Sequence, residues 1–453
     1  MKYIFIVNCY DDDNDTNGPS NANDYAEGGA GLVFQFPLEA TNGAGQPVYS
    51  GANQSEDAAV SHLFYVSNMI HDIIYFFGMN EAGGSFQENN FGNGGAGGDS
   101  VNAEAQDGSG TCNANFGTPP DGGNPRMQMY TCGNRDASFD NEVVIHEYGH
   151  GISNRLTGGP AAASCLQNQE QMGEGWSDYY GLMLTMVASE SGDDARGMGN
   201  WLDGGGLNGS GIRTHPYSTD FAENPHTYSD ITTEAVPHGV GSVWAMMIWE
   251  MTWEIMNKYE TASGNGFSSD LYTVTGNPAV DAGNIQALAI VTEGMKLQAC
   301  SPGFVDGRDA ILLADQNIYG GANQCEIWAA FARRGLGFSA DQGSSASRSD
   351  GSEAFDLPPN VADLNVSTNE LCEVNGTQIL SGGQPAGGTY SGPGVTDNLD
   401  GTFTFDPVAA GPGTHVINYN VVDTCSGSAV DVTDTIVVED GTPDMICENI
   451  TIE

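Results

Sequence analysis

The chain has 453 residues, with 59 Asp and Glu against 12 Lys and Arg, a formal net charge of −47. A surface this acidic repels nucleic-acid phosphate and anionic lipid, so neither is expected as a partner, and no apolar run reaches the ~20 residues of a membrane-spanning helix. Hydrophobic residues at 39% suffice for packed cores, the length calls for two or three domains, and 63 glycines point to many turns and long loops.

In chain order, residues 1–30 are polar, carry the acidic run Asp11–Asp13 and read as a flexible lead-in. The opening MKYIFIVNCY lacks a full apolar region and a small-residue cleavage site, so it makes a poor signal peptide. Residues 31–54 alternate weakly, as short strands do. From Ser55, the segment SEDAAVSHLFYVSNMIHDIIYFFGM places apolar residues at helical spacing and predicts an amphipathic helix. Residues 80–137 are rich in Gly and Asn, with strand-like pieces around 113–116 and 126–132 joined through TPPDGGNP. Helices are expected at roughly 140–156, 172–188, 238–259, 281–299, 305–317 and 323–334. A strand-rich N-terminal half followed by a helical C-terminal half predicts an α+β fold for a domain spanning 31–358. A Ser/Gly/Asp/Pro-rich stretch closes it. Beyond lie short strands such as TFTFDP, THVINYNVVD and DVTDTIVVE, read as a small all-β sandwich over 359–440. Residues 441–453 read as the start of a further, truncated module, and the chain is expected to be incomplete at both ends.

None of the nine cysteines forms a C-x-x-C pair, which leaves a cysteine-based zinc ribbon or redox site unsupported. Proximity pairs Cys112 with Cys132, Cys300 with Cys325 and Cys372 with Cys425, and such bridges place the chain in an oxidising, extracellular compartment. The acidity itself reads as adaptation to salt or solubility, with structural Ca²⁺ on carboxylate-rich loops as an addition.

The chemistry sits in NEVVIHEYGHGISNRL. His146 and His150, at i and i+4, share one helix face and can bind one tetrahedral metal, while Glu147 beside them can take a proton from a water on that metal. Taken alone the motif is weak, because an amphipathic helix can carry two His and a Glu as satisfied polar residues. A third ligand decides. MGEGWSDYYGLML supplies Glu174, 28 residues after His146, with Asp178 one turn on to accept the Nδ1–H of a ligand histidine. Two His, one Glu and water make a hydrolytic zinc set. Two further groups stand near it in sequence logic. His238 opens an apolar helix, from which it could donate to an oxyanion, or simply cap that helix. Arg213 could support the same oxyanion or serve a structural salt bridge.

The segments HEYGHGISNRLTGGP, MGEGWSDYYGLM, GIRTHPYSTDFAENPHTYSD, HGVGSVWA, RDAILLAD and IWAAFARRGLG run colinearly over roughly residues 55–340. In this the chain resembles the fungalysin family of zinc metalloendopeptidases, whose catalytic architecture is thermolysin-like. The resemblance implies His146, His150 and Glu174 as zinc ligands, Glu147 as catalytic base and Asp178 as partner of a ligand histidine. It also implies His238 as the transition-state histidine and Arg213 as its neighbour. NANFGTPPDG, with Asn113 and Asn115, resembles the edge strand on which substrate backbone lies. By the same resemblance an apolar residue is preferred after the scissile bond. The family's inhibitory propeptide has no counterpart before residue 31, Gly149 stands where many fungal members have Thr, and Cys165 stands where thermolysin-type sites have a tyrosine donor. The C-terminal segment, with LSGGQPAGGTYSGPGV, resembles the immunoglobulin-like or PKD-like modules of secreted bacterial enzymes.

The expected function is therefore secreted, zinc-dependent cleavage of internal peptide bonds in extracellular proteins. The alternative, from another class, is an adhesion or substrate-binding protein with an inactive peptidase fold; zinc stoichiometry together with casein hydrolysis separates the two.

Overall fold

The computed structural model describes residues 7–38, 41–45, 55–206, 209–358, 362–422 and 429–440. The chain divides into two compact units, Met1–Phe355 and Asp356–Glu453.

In the first unit, strands β1 (Val7–Asp11), β2 (Val101–Ala105), β3 (Ala114–Gly117) and β4 (Arg126–Met129) form one mixed sheet in the order β1-β2-β4-β3. β1 and β4 run parallel to β2, and β3 pairs antiparallel with β4, Asn115 opposite Gln128, which leaves β3 at an edge. The place of β1 corrects the expectation of a flexible lead-in. Val7, Cys9 and Tyr10 are buried, so a short apolar run just ahead of the acidic one is enough to hold residues 7–11 in the sheet. Residues 33–38, where short strands were expected, carry no strand.

Helix α1 (Glu56–Phe76) buries Ala59, Leu63, Val66, Ile70 and Ile74, a stripe at three- and four-residue steps. After a small hairpin of β5 (Thr131–Cys132) and β6 (Arg135–Asp136), α2 (Asn141–Leu156) begins at Asp140, whose carboxylate accepts the Leu202 N–H at 3.0 Å. α3 (Gly173–Thr185), the short α4 (Asn200–Asp203), α5 (His238–Ser263), α6 (Gly283–Leu297), α7 (Phe304–Tyr319) and α8 (Gln324–Arg333) complete the unit. From Gly239 to Trp253 every residue of α5 is buried, as befits a helix enclosed by others, and it packs on α3, α6 and α8.

The Cys112–Cys132 disulfide forms as expected, but Cys300 pairs with Cys165, 135 residues away, rather than with Cys325. The fold brings the loop before α3 against the α6–α7 connection, a proximity that sequence spacing does not reveal. Cys325 and Cys372 are also disulfide-bonded. Cys425, the expected partner of Cys372, lies outside the described residues, as do residues 441–453.

The second unit is β-rich: β7 (Asp363–Leu364), β8 (Glu370–Cys372), β9 (Gln378–Ile379), β10 (Gly383–Gln384), β11 (Thr389–Ser391), β12 (Val395–Asp397), β13 (Phe403–Phe405), β14 (Gly413–Val422) and β15 (Ala429–Glu439), with one helical turn, α9 (Pro407–Ala410). Sheets ordered β11-β14-β15-β8 and β12-β13-β9 surround a core that includes Phe403, Phe405, Ile417, Tyr419, Ile436 and Val438.

Arg155, on the last turn of α2, is fully buried. Its guanidinium pairs with Asp99 at 3.0 Å and Asp121 at 3.2 Å and donates to the carbonyls of Gly84, Pro119 and Gly123, fastening the Gly-rich 80–125 region to the helix. Removing one partner of such a buried pair costs about 3–5 kcal/mol, because the other charge is left uncompensated. Arg155→Met is expected to lose that much in urea denaturation, and Arg155→Met/Asp99→Asn to recover part of it.

Candidate metal centre

α2 presents His146 and His150 one turn apart, and the first turn of α3 presents Glu174. The two Nε2 atoms are 3.1 Å apart, and Glu174 brings Oε2 to 3.3 Å from His146 Nε2 and Oε1 to 3.8 Å from His150 Nε2. A tetrahedral zinc with bonds near 2.0–2.1 Å sets its ligand atoms about 3.3 Å apart. The three donors therefore fit one such ion, and their nitrogen and carboxylate chemistry suits it.

Close helix contact makes this convergence possible. A Cβ on Gly241 of α5 would overlap Glu174 Cβ and lie 2.7 Å from the Gly175 backbone nitrogen. A Cβ on Gly149 of α2 would come within 2.9 Å of Ser177 Cα on α3. Bare backbone at Gly241 lets α3 press against α5 with Glu174 facing the histidines.

Asp178, fully buried one turn beyond Glu174, organises the set. Its Oδ1 lies 2.7 Å from His146 Nδ1, which assigns the proton to Nδ1 and leaves the Nε2 lone pair for a metal. Arg213 grips the same carboxylate through Nε at 2.7 Å and Nη2 at 2.8 Å, and Nη2 reaches Glu174 Oε2 at 3.2 Å. The Tyr217 hydroxyl donates to Asp178 Oδ2. Burial opposes charge on Asp178, but Arg213 and His146 overcome it and hold the acid well below the usual carboxylate range. Burial likewise opposes a proton on His146, yet Asp178 and Glu174 together push it up to about 10, a measure of how strongly the pocket calls for positive charge. Burial first, then the neighbouring His146, brings His150 down to about 4, so its imidazole is neutral and free to ligate.

Glu147 is 5% exposed, its Oε2 has no hydrogen-bond partner, and burial pushes it up to about 7. It lines a cleft of about 430 Å³ together with Asn113, Asn115, the Cys112–Cys132 bridge, Val143, Met198, Leu202, Ile212, Arg213 and His238. His238, at the first position of α5, stands exposed at the mouth with Nε2 3.4 Å from Glu174 Oε1. All nine residues predicted from sequence thus border this cleft or, in the case of Asp178, stand directly behind it. Arg213 departs from its expected oxyanion role in one respect: two of its nitrogens are committed to Asp178 and Glu174.

Residues 7–340 match the family model described as fungalysin metallopeptidase (M36). The chain belongs to that family. The fungalysin match is supported by relatives named extracellular metalloproteinase MEP, from Pyricularia oryzae (43% identical over 72% of this chain and 50% of the relative) and Fusarium vanettenii (42%, 77% and 53%). Extracellular metalloproteinase 4 of Trichophyton soudanense is 41% identical over 74% of this chain and 83% of its own. The chain spans about half the length of the first two. A solved precursor of protealysin, a metalloproteinase of Serratia proteamaculans, aligns at 13% identity with a TM-score of 0.35, covering 66% of this chain and 85% of that one.

Sequence reasoning missed Tyr217 in this fungalysin chain. It lies four residues after Arg213 in GIRTHPYSTD, and only the folded loop shows both side chains meeting Asp178. Losing a partner that orients a ligand histidine typically weakens metal binding about 10–100-fold. Asp178→Asn is expected to do so in competition with a chromophoric chelator, and Tyr217→Phe, which removes one of several donors, to have a smaller effect in the same direction.

Proposed function

We propose that this fungalysin is a secreted zinc endopeptidase, with His146, His150 and Glu174 as metal ligands and Glu147 as general base. The observation that carries the reading is the convergence of three ligand side chains, with contacts between them of 3.1 to 3.8 Å, beside a buried carboxylate with an unpartnered oxygen, at the floor of an open cleft. When bound, Zn²⁺ supplies a Lewis acid that polarises the scissile carbonyl and acidifies water.

The chain's own groups do the rest. β3, at the edge of its sheet, offers backbone N–H and C=O groups to an extended peptide, with the exposed Asn113 and Asn115 beside them. Glu147, buried beside the ligand histidines with one oxygen unpartnered, takes the proton of the attacking water and passes it to the leaving amine. His238, exposed at the mouth beside Glu174, donates to the oxygen that becomes negative. Arg213 acts through Glu174 and Asp178, holding both in place. Val143, Met198, Leu202 and Ile212 give the cleft an apolar wall for the side chain after the scissile bond. Secretion accords with the disulfides and with the extracellular relatives. The β-rich second unit, with the long β14–β15 hairpin at its centre, is read as an Ig/PKD-like module.

Glu147→Gln is expected to keep one zinc per chain and to lose casein hydrolysis about 10²–10⁴-fold, the usual contribution of a general base. Zinc removal from the wild type with 1,10-phenanthroline is expected to abolish cleavage, and one equivalent of Zn²⁺ to restore it. A wild-type chain without metal, or a fully active Glu147→Gln, overturns the proposal in favour of a binding protein.

A further inference from the structure

We propose that Asp11, Asp13 and Glu56 form a second metal site, for a hard divalent cation of the Ca²⁺ class, tying the end of β1 to the start of α1. One oxygen from each of the three carboxylates lies within 4.8 Å of the other two, close enough for one ion to bridge them at Ca–O distances of about 2.4 Å. An all-oxygen set of carboxylates selects Ca²⁺ over zinc or copper, which favour nitrogen and sulfur, and Ca²⁺ readily completes its shell with carbonyls and water.

A gathering of acids on so acidic a chain means little by itself. The independent observation is Asp11. It is 6% exposed, and its Oδ1 is sealed from solvent with no hydrogen-bond partner. A buried carboxylate oxygen without a donor is costly, and a cation is what would satisfy it. Burial first, then the neighbouring acids Glu56, Asp13 and Asp24, push Asp11 up to about 8 against the pull of the Asp13 backbone N–H.

A neighbouring triad shows what a finished acid cluster looks like. Asp12, Glu104 and Asp107, from the adjoining end of the same sheet, are also buried together. There Arg126 bonds Glu104 at 2.7 Å, the Tyr10 hydroxyl donates to Glu104 at 2.8 Å, the Thr16 and Asn17 N–H groups serve Asp12 at 2.9 Å, and Gln128 serves Asp107 at 2.7 Å. That triad is complete without an ion. Among the described residues no Lys, Arg or His forms an ion pair with Asp11 or Asp13.

The test uses the whole chain, stripped of metals and reloaded with one equivalent of Zn²⁺, so that the catalytic centre stays occupied. Titration with CaCl₂ is expected to bind one further ion by equilibrium dialysis and to raise the Tm by about 5 °C. Asp11→Asn and Asp13→Asn are expected to lose most of that rise while keeping their zinc. In the absence of Ca²⁺, Asp11→Asn is expected to melt no lower than the wild type, because it removes a repelled carboxylate. The proposal is overturned if Ca²⁺ leaves the wild type unchanged, or if both variants respond as the wild type does. It is overturned equally if Asp11→Asn melts well below the wild type without Ca²⁺, which would mean that the protein itself already holds that carboxylate.

Discussion

A single buried carboxylate, Asp178, sets the terms for the whole centre. It stays ionised without solvent only because Arg213, Tyr217 and His146 all aim donors at it. Each of those contacts has a second effect. Through His146 the contact fixes a tautomer, and through Arg213 it also steadies Glu174. Buried ion pairs are rarely worth much as net stability. Their use here is positional: a ring and a carboxylate from two helices are held in the orientation that one ion requires.

The scarcity of positive charge gives this arrangement its context. Of the 12 Lys and Arg in the chain, none lies beyond Arg348, so the second unit has neither. In the first unit the arginines serve as internal ties. Arg334 is fully buried, pairs with Glu250 at 2.8 Å across α5 and α8, and donates to the carbonyls of Asn224, His226 and Ser218. Those carbonyls belong to the loop that also delivers Arg213 and Tyr217 to Asp178. With 59 acids to accommodate, the fold uses its arginines where a buried oxygen would otherwise stand alone.

Much of this was legible in the sequence, and for local reasons. Helical spacing is a short-range signal, so α1, α2, α3, α5, α6, α7 and α8 fall close to their expected limits, and His146 and His150 share a face by construction. Glu174 and Asp178 were recoverable because they too stand one turn apart on a helix. What stayed hidden depends on contacts distant along the chain. β1 gains its place from pairing with β2, 94 residues on, and the Cys165–Cys300 pairing depends on how two loops fold together. Arg213 could be noticed but not assigned, since its two carboxylate partners are 35 and 39 residues away.

On the proposed reading of the chain as a peptidase, the Cys165–Cys300 bridge bears on its fate in its own company. Peptidases at working concentration cut one another, first at exposed loops. The bridge encloses α3, α4, α5 and α6 in one covalent ring. A single cut anywhere between the two cysteines opens that ring but releases no fragment, so Glu174 and His238 stay attached to the strand of chain that carries the histidine pair. A molecule nicked there once keeps every segment covalently attached, whereas a second cut within the ring frees the stretch between the two.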